Sequence, residues 1–273
     1  MKLRERLVAG IVGVATSPVR IPPLGRLARG DLAPLRIRSA DGTMLHADVF
    51  SPRAPCRGTA ILAHGYRDGR AQLTFLVAPL ALRGYRVVAF DFRGHGRSDR
   101  ARLTIGAREA DDVRAVMQTV RGMQGCGDVA FLGYSMGASA YLLSGVEADR
   151  AVLDSPYDTL EEALSARVRL LGFSDASART LASEGAMHMG VQLAHARPID
   201  FVAGLTRPTL FVFGRRDRWV DEAARADFAR KLPAAGAIRV VRGGHKGHFS
   251  AQWRREVVDF LAPEPGHISQ TTE

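Results

Sequence analysis

Six short apolar runs, at 59–63, 86–90, 129–132, 150–153, 208–213 and 237–241, punctuate the chain, and longer segments of helical character separate most of them. No other feature constrains the fold as much. Short runs without polar alternation are the pattern of strands buried on both faces, and the intervals between them leave room for helical crossovers. A mostly parallel sheet with helices on both faces follows. Upstream, 35–38 and 44–50 flank Asp41-Gly42, a hairpin turn signal, before a loop at 51–58 broken by Pro and Gly. Helices are expected at 74–83 and 107–121. The interval 156–207 is longer than one crossover requires and has helical character at 160–171 and 177–195. It is the candidate lid, an insertion spanning about 157–205.

A length of 273 residues with 46% hydrophobic content fits one large domain. We place it at 31–262, after an N-terminal segment 1–30 and before a tail 263–273. Lys2, Arg4 and Arg6 ahead of the apolar run 7–15 resemble the start of a signal peptide, yet no small-x-small cleavage site follows before Pro18. The run falls short of the roughly 20 residues that cross a bilayer. A docked or interfacial amphipathic helix is the expectation there, and through it peripheral membrane contact. The net charge of +10 is carried by scattered arginines, with lysine only at positions 2, 231 and 246. No basic stripe or base-reading motif accompanies it, so a nucleic-acid partner is not expected. Cys56 and Cys126 make neither a metal site nor a disulfide framework, which points to a reduced, cytoplasmic protein.

The run 129–132 leads into Gly133-Tyr134-Ser135-Met136-Gly137, and 138–144 continues as a helix. A serine between two glycines at a sharp strand-to-helix turn is a nucleophile elbow, and the motif carries weight only in that context. Ser135 is the candidate nucleophile. A hydroxyl is a poor nucleophile until an imidazole takes its proton and a carboxylate fixes the tautomer of that imidazole. Both partners belong at carboxyl ends of strands, where an open parallel sheet forms its crevice. Run 208–213 leads to Asp217, and 237–241 leads through Gly243-Gly244 to His245, with His248 the alternative base. Asp154, after 150–153, is the alternative acid. The amides of Tyr66, beyond run 59–63, and Met136, after the nucleophile, are the candidate oxyanion hole.

These motifs resemble the α/β-hydrolase superfamily from the hairpin at 35 to Leu261. The resemblance rests on Ala63-His64-Gly65-Tyr66, Asp91-Phe92-Arg93-Gly94-His95-Gly96-Arg97-Ser98, the elbow, Asp154-Ser155-Pro156-Tyr157 and Gly214-Arg215-Arg216-Asp217. Together they are similar to a small-lidded bacterial branch of serine hydrolases. The resemblance implies an α/β-hydrolase fold with a mostly parallel eight-stranded sheet, helices on both faces and a small helical lid. It implies cleavage of a small-molecule carboxylic ester or thioester through an acyl-enzyme. An amidase or aminopeptidase-like hydrolase on the same triad is the alternative, and an inactive binding protein the alternative of a different class. The dehalogenases and epoxide hydrolases of the superfamily attack with an aspartate, where this chain has Ser135.

No cofactor and no metal are expected, because no His/Asp/Glu cluster has ligand spacing. His64 and His95 read as loop-fixing residues, the lid histidines His188 and His195 as exposed or satisfied in the core, and Asp111 and Asp112 as solvated. Leu170, Leu171, Phe173, Met187 and Met189 point to an apolar acyl pocket, whereas Arg167 and Arg169 point to a carboxylate. The resemblance also makes the strands after Cys56 and Cys126 parallel neighbours, which places both sulfurs at the non-catalytic edge of the sheet, where a bridge is conceivable.

Overall fold

A computed structural model describes Ser17 and residues 32–264, apart from 54, 126, 247 and 248. The N-terminal segment 1–30 apart from Ser17, most of the tail, His248 and Cys126 therefore lie outside the described residues, and with them the expectations of an N-terminal helix, an alternative base and a cysteine pair.

The strands are β1 (Leu32–Arg38), β2 (Met44–Phe50), β3 (Gly58–Ala63), β4 (Tyr85–Asp91), β5 (Asp128–Tyr134), β6 (Arg150–Asp154), β7 (Thr209–Gly214) and β8 (Gly236–Val241). They form one sheet in the order β1-β2-β4-β3-β5-β6-β7-β8. The hairpin β1–β2 and the pair β2–β4 are antiparallel, and every other pairing is parallel. The strand order reverses around β3, whose neighbours are β4 on one side and β5 on the other, so the crevice of the sheet opens at the carboxyl ends of β3 and β5.

Period-two geometry explains why the central strands have no polar face. Ile61, Ala63, Val88, Phe90, Val129 and Phe131 belong to one buried cluster, whereas their alternates Ala60, Leu62, Val87, Ala89, Ala130 and Leu132 belong to the other. Each face is roofed by helices. They are α1 (Val77–Leu82), α2 (Glu109–Arg121), α3 (Met136–Ser144), α4 (Leu160–Arg169), α5 (Asp175–Met189), α6 (Glu222–Lys231) and α7 (Ala251–Leu261). β8, one of the two edge strands, is half-exposed along its length.

Local chemistry moves several helix ends from their expected positions. The segment expected as one helix at 74–83 opens as a 3-10 helix, Arg70–Leu76, and only then becomes α1. Thr159 caps α4 by accepting from the Glu162 amide, with a glutamate at the third position as in a capping box. Ser174 likewise caps α5, starting it before 177, and the left-handed Gly190 stops it well short of 195. α4 and α5 lie between β6 and β7 and enclose a small core of their own, built on Tyr157, Leu160, Ala163, Ala186 and Met189 against Ile105.

Two expectations for charged and apolar side chains are corrected here. Asp112 is fully buried on α2, not solvated, because Arg93 from the loop after β4 reaches it with Nε and Nη2 and donates its backbone amide as well. Arg93 also donates to Asp41 and Ser39, tying that loop to the hairpin. Of the residues expected to line an acyl pocket, Leu170, Leu171, Phe173 and Met187 are exposed and Met189 sits in the core of the insertion.

Candidate active site

Ser135 occupies the turn between β5 and α3 with φ 51° and ψ −112°, a backbone region that a residue with a Cβ enters only when its surroundings impose it. Those surroundings are visible. The Ser135 amide donates to the Asp154 carbonyl (2.7 Å) and its carbonyl accepts from the Ser139 amide (3.0 Å). A Cβ on Gly137 would stand 2.5 Å from the Ala63 carbonyl oxygen and 2.8 Å from that of His64. Glycine there lets the elbow press against the end of β3. α3 begins at Met136, so the amide of that residue is in the first turn, where no intrahelical partner exists.

The turn after β3 is fixed from several sides. His64 donates from Nδ1 to the Gly65 carbonyl (2.8 Å) and accepts at Nε2 from the Phe92 amide (3.1 Å). Burial and the neighbouring His95 hold its pKa down at about 3, so it is a neutral strut. The Gly65 amide goes to Gln72 Oε1 (2.8 Å) and the Arg67 amide to His95 Nε2 (3.3 Å). The peptide of Tyr66 is held between those two anchored neighbours, beside the elbow. Both histidines act as the loop-fixing residues expected of them.

His245 joins the remaining parts. Its Nδ1 lies 2.7 Å from Asp217 Oδ2 and its Nε2 lies 2.8 Å from Ser135 Oγ. Ser135 is 8% and Asp217 6% exposed, so the pairings are shielded from competing water. Burial alone would raise the Asp217 carboxyl. The His245 hydrogen bond and charge, with the Trp219 and Val220 amides on Oδ1, hold it below the ordinary carboxylate range instead. A charged carboxylate opposite Nδ1 favours the tautomer with its N–H there, which leaves Nε2 to accept a hydrogen bond from the Ser135 hydroxyl.

Asp154 is fully buried but turned elsewhere, accepting from Trp253 Nε1 (2.9 Å) and from Ser155 Oγ (3.0 Å). Among the residues that sequence reasoning passed over, Tyr134 donates its hydroxyl to the His245 carbonyl (2.5 Å) and packs its ring 5.4 Å from the imidazole. It is the variable position of the elbow motif, and its aromatic character was the available signal. Trp219, two residues beyond Asp217, lies 4.7 Å from the imidazole on centroids. Among the described residues no three His, Cys, Asp or Glu side chains gather as a metal would require, and no helix is long and apolar enough to cross a membrane.

An esterase from Pyrococcus furiosus has the same architecture, with a TM-score of 0.73 at 22% identity over 90% of this chain and 97% of that one. A monoacylglycerol lipase from Mycolicibacterium smegmatis is 28% identical over 48% of this chain and 50% of its own length. Epoxide hydrolase B of Mycobacterium tuberculosis is 38% identical over a shorter stretch, 25% of this chain and 19% of that protein. The chain thus spans half or less of the length of these two curated relatives. The profile of the alpha/beta hydrolase family matches residues 60–260, from β3 to α7, and the chain belongs to that family.

Proposed function

We propose that the protein is a serine hydrolase that cleaves a carboxylic ester, or the closely related thioester, through an acyl-enzyme on Ser135. The observation that carries this reading is the position of His245, within hydrogen-bond distance of Ser135 Oγ on one nitrogen and of Asp217 on the other. Ser135 Oγ attacks the substrate carbonyl while its proton passes to Nε2, and Asp217 stabilises the imidazolium that forms. The carbonyl oxygen becomes an oxyanion that accepts from the amides of Met136 and Tyr66, where loss of one donor typically costs about 3 kcal/mol of barrier. The imidazolium then gives its proton to the departing alkoxide or thiolate. A water, deprotonated by the same nitrogen, releases the acid and restores Ser135.

The ester bond is further supported by the likeness to a monoacylglycerol lipase. The shorter likeness to an epoxide hydrolase does not carry the chemistry over, since that reaction needs a carboxylate where this elbow has a hydroxyl. The insertion of α4 and α5 is the lid in this reading, since Arg167 of α4 lies over Trp219 and Tyr66.

Ser135→Ala is expected to lower turnover of p-nitrophenyl acetate or butyrate by about 10³-fold or more and to abolish labelling by a fluorophosphonate probe, with an unchanged circular dichroism spectrum. Labelling that survives in the variant would overturn the mechanism. His245→Ala should match the serine variant, whereas His248→Ala should keep activity within roughly tenfold. The reverse ranking would move the base to 248.

A further inference from the structure

We propose that Arg167 selects esters bearing a second, anionic group, a carboxylate a short distance from the scissile carbonyl. The inference rests on the hydrolase reading above and names its substrate class.

Arg167 lies near the end of α4 with its guanidinium carbon 4.7 Å from the Trp219 ring centroid and 5.9 Å from that of Tyr66. Trp219 in turn packs 4.7 Å from the His245 ring. The cation is two ring contacts from the proposed base and one from the residue that supplies a proposed oxyanion amide.

Its own partners leave it unneutralised. Nη1 donates to the Ala163 carbonyl one turn back on the same helix, and among the described residues no carboxylate stands within ion-pair distance. Asp217 lies beyond ion-pair distance, and its oxygens accept from His245 and from the Trp219 and Val220 amides. Three other guanidiniums held in or near the core are treated differently. Arg93 has Asp112 and Asp41, and Arg70 has Asp48 and Asp91. Arg169, two residues further along α4, is satisfied by Glu162 and Asp175. Arg167 instead meets the aromatic faces of Trp219 and Tyr66 and a helix carbonyl, and burial holds its pKa below the ordinary arginine value, with Tyr66, Tyr157 and Asp217 pulling the other way.

A charged group taken from water without a counter-ion is unfavourable, so the site is improved by an anion brought with the substrate. Trp219 covers one side of the guanidinium, and of its five N–H donors one is bonded to the Ala163 carbonyl. A planar fork suits a carboxylate, which it binds through two parallel hydrogen bonds. One guanidinium matches a monoanion, whereas a phosphate monoester would call for further donors.

The test compares kcat/KM for monomethyl succinate, glutarate and adipate with that for methyl butyrate, valerate and hexanoate by pH-stat at pH 7.5. The acetate esters of 3-hydroxypropionate and 4-hydroxybutyrate, against propyl and butyl acetate, place the charge on the alcohol side. At one chain length or more, the charged ester is expected to be preferred about tenfold or more. Arg167→Met should remove that preference mainly through KM, and Arg167→Lys should keep part of it. Fluorophosphonate labelling of Ser135 reports that each variant is folded, and Arg167→Gln carries the same comparison if the methionine variant fails to label. Equal kcat/KM for charged and neutral esters, or a preference that loss of the guanidinium leaves in place, overturns this inference alone. Absence of both ester turnover and Ser135 labelling in the unaltered protein overturns the hydrolase reading and this inference with it.

Discussion

The ends of β6 and β7 present the same residue type in neighbouring, parallel, fully buried strands, yet the two carboxylates do different things. Asp154 is the last residue of β6 and turns into the core beneath α7, where Trp253 and Ser155 occupy it. Asp217 lies three residues beyond the end of β7, on a loop whose backbone is bonded to the loop that carries His245. The Arg215 amide donates to the Val241 carbonyl and the Arg216 amide to the Gly243 carbonyl, each at 2.8 Å. A Cβ on Gly214 would come within 2.9 Å of the Gly243 and Gly244 carbonyl oxygens, so the loops can approach only with glycine there. A carboxylate at a strand end is therefore not sufficient. The extension that lifts it beside the imidazole decides its role, and the shorter β6 end leaves Asp154 to hold the fold together.

The sharpest test of that contrast is Asp217→Asn. It preserves shape but presents an amide to Nδ1 and favours the wrong imidazole tautomer, so kcat is expected to fall by about 10³- to 10⁴-fold. Asp154→Asn should keep kcat/KM within about tenfold while lowering stability by roughly 1–3 kcal/mol, because the asparagine replaces one acceptor oxygen with an NH2 and so loses the Trp253 or the Ser155 donor. Urea unfolding and ester turnover on the same preparations measure both. Equal catalytic losses in the two variants would break the distinction between the strand ends.

The smallest effect concerns pH. The Asp217 carboxyl is held below its ordinary value, so its stabilising contribution is fully present above the unfolded-state pKa of about 3.9. It is lost as pH falls through the lower, folded value. The stability difference between the unaltered protein and Asp217→Asn should accordingly be constant from pH 7 to about 5 and shrink only in more acidic solution, as read from thermal midpoints across that range. A difference that shrinks already between pH 7 and 5 would mean that the carboxylate is not held in this way.

Much of the frame was legible beforehand because burial on both faces removes polar residues from a strand, and that depletion is local. All six apolar runs became strands, and the hairpin formed around Asp41-Gly42. The elbow was legible because its strand, turn and helix are contiguous in the chain, and Gly133 answers to Gly137 and Ala138 one turn away, although Gly137 answers to the distant Ala63 and His64 carbonyls. What remained hidden depends on partners far along the chain. Asp112 looks like half of a solvated acidic pair until Arg93, from another loop, is placed against it. Helical periodicity shows which face of α4 or α5 is apolar, but not whether that face covers the sheet, and Leu171 and Met187 ended at the surface. The choice between Arg167 and Arg169 turned on Glu162 and Asp175, whose reach toward Arg169 no spacing rule specifies.

The hydroxyl of Tyr134 has a consequence for how the protein is made. That residue belongs to β5, directly before Ser135, and its bond to the His245 carbonyl closes a loop of 111 positions. Contacts of such separation form late, after the entropy of bringing distant segments together has been met. No chain that has yet to pair β8 can hold the imidazole in place. In the proposed mechanism, catalytic competence therefore arises only when the final strand docks, and an immature or partly unfolded chain is silent toward esters during synthesis and on the way to degradation.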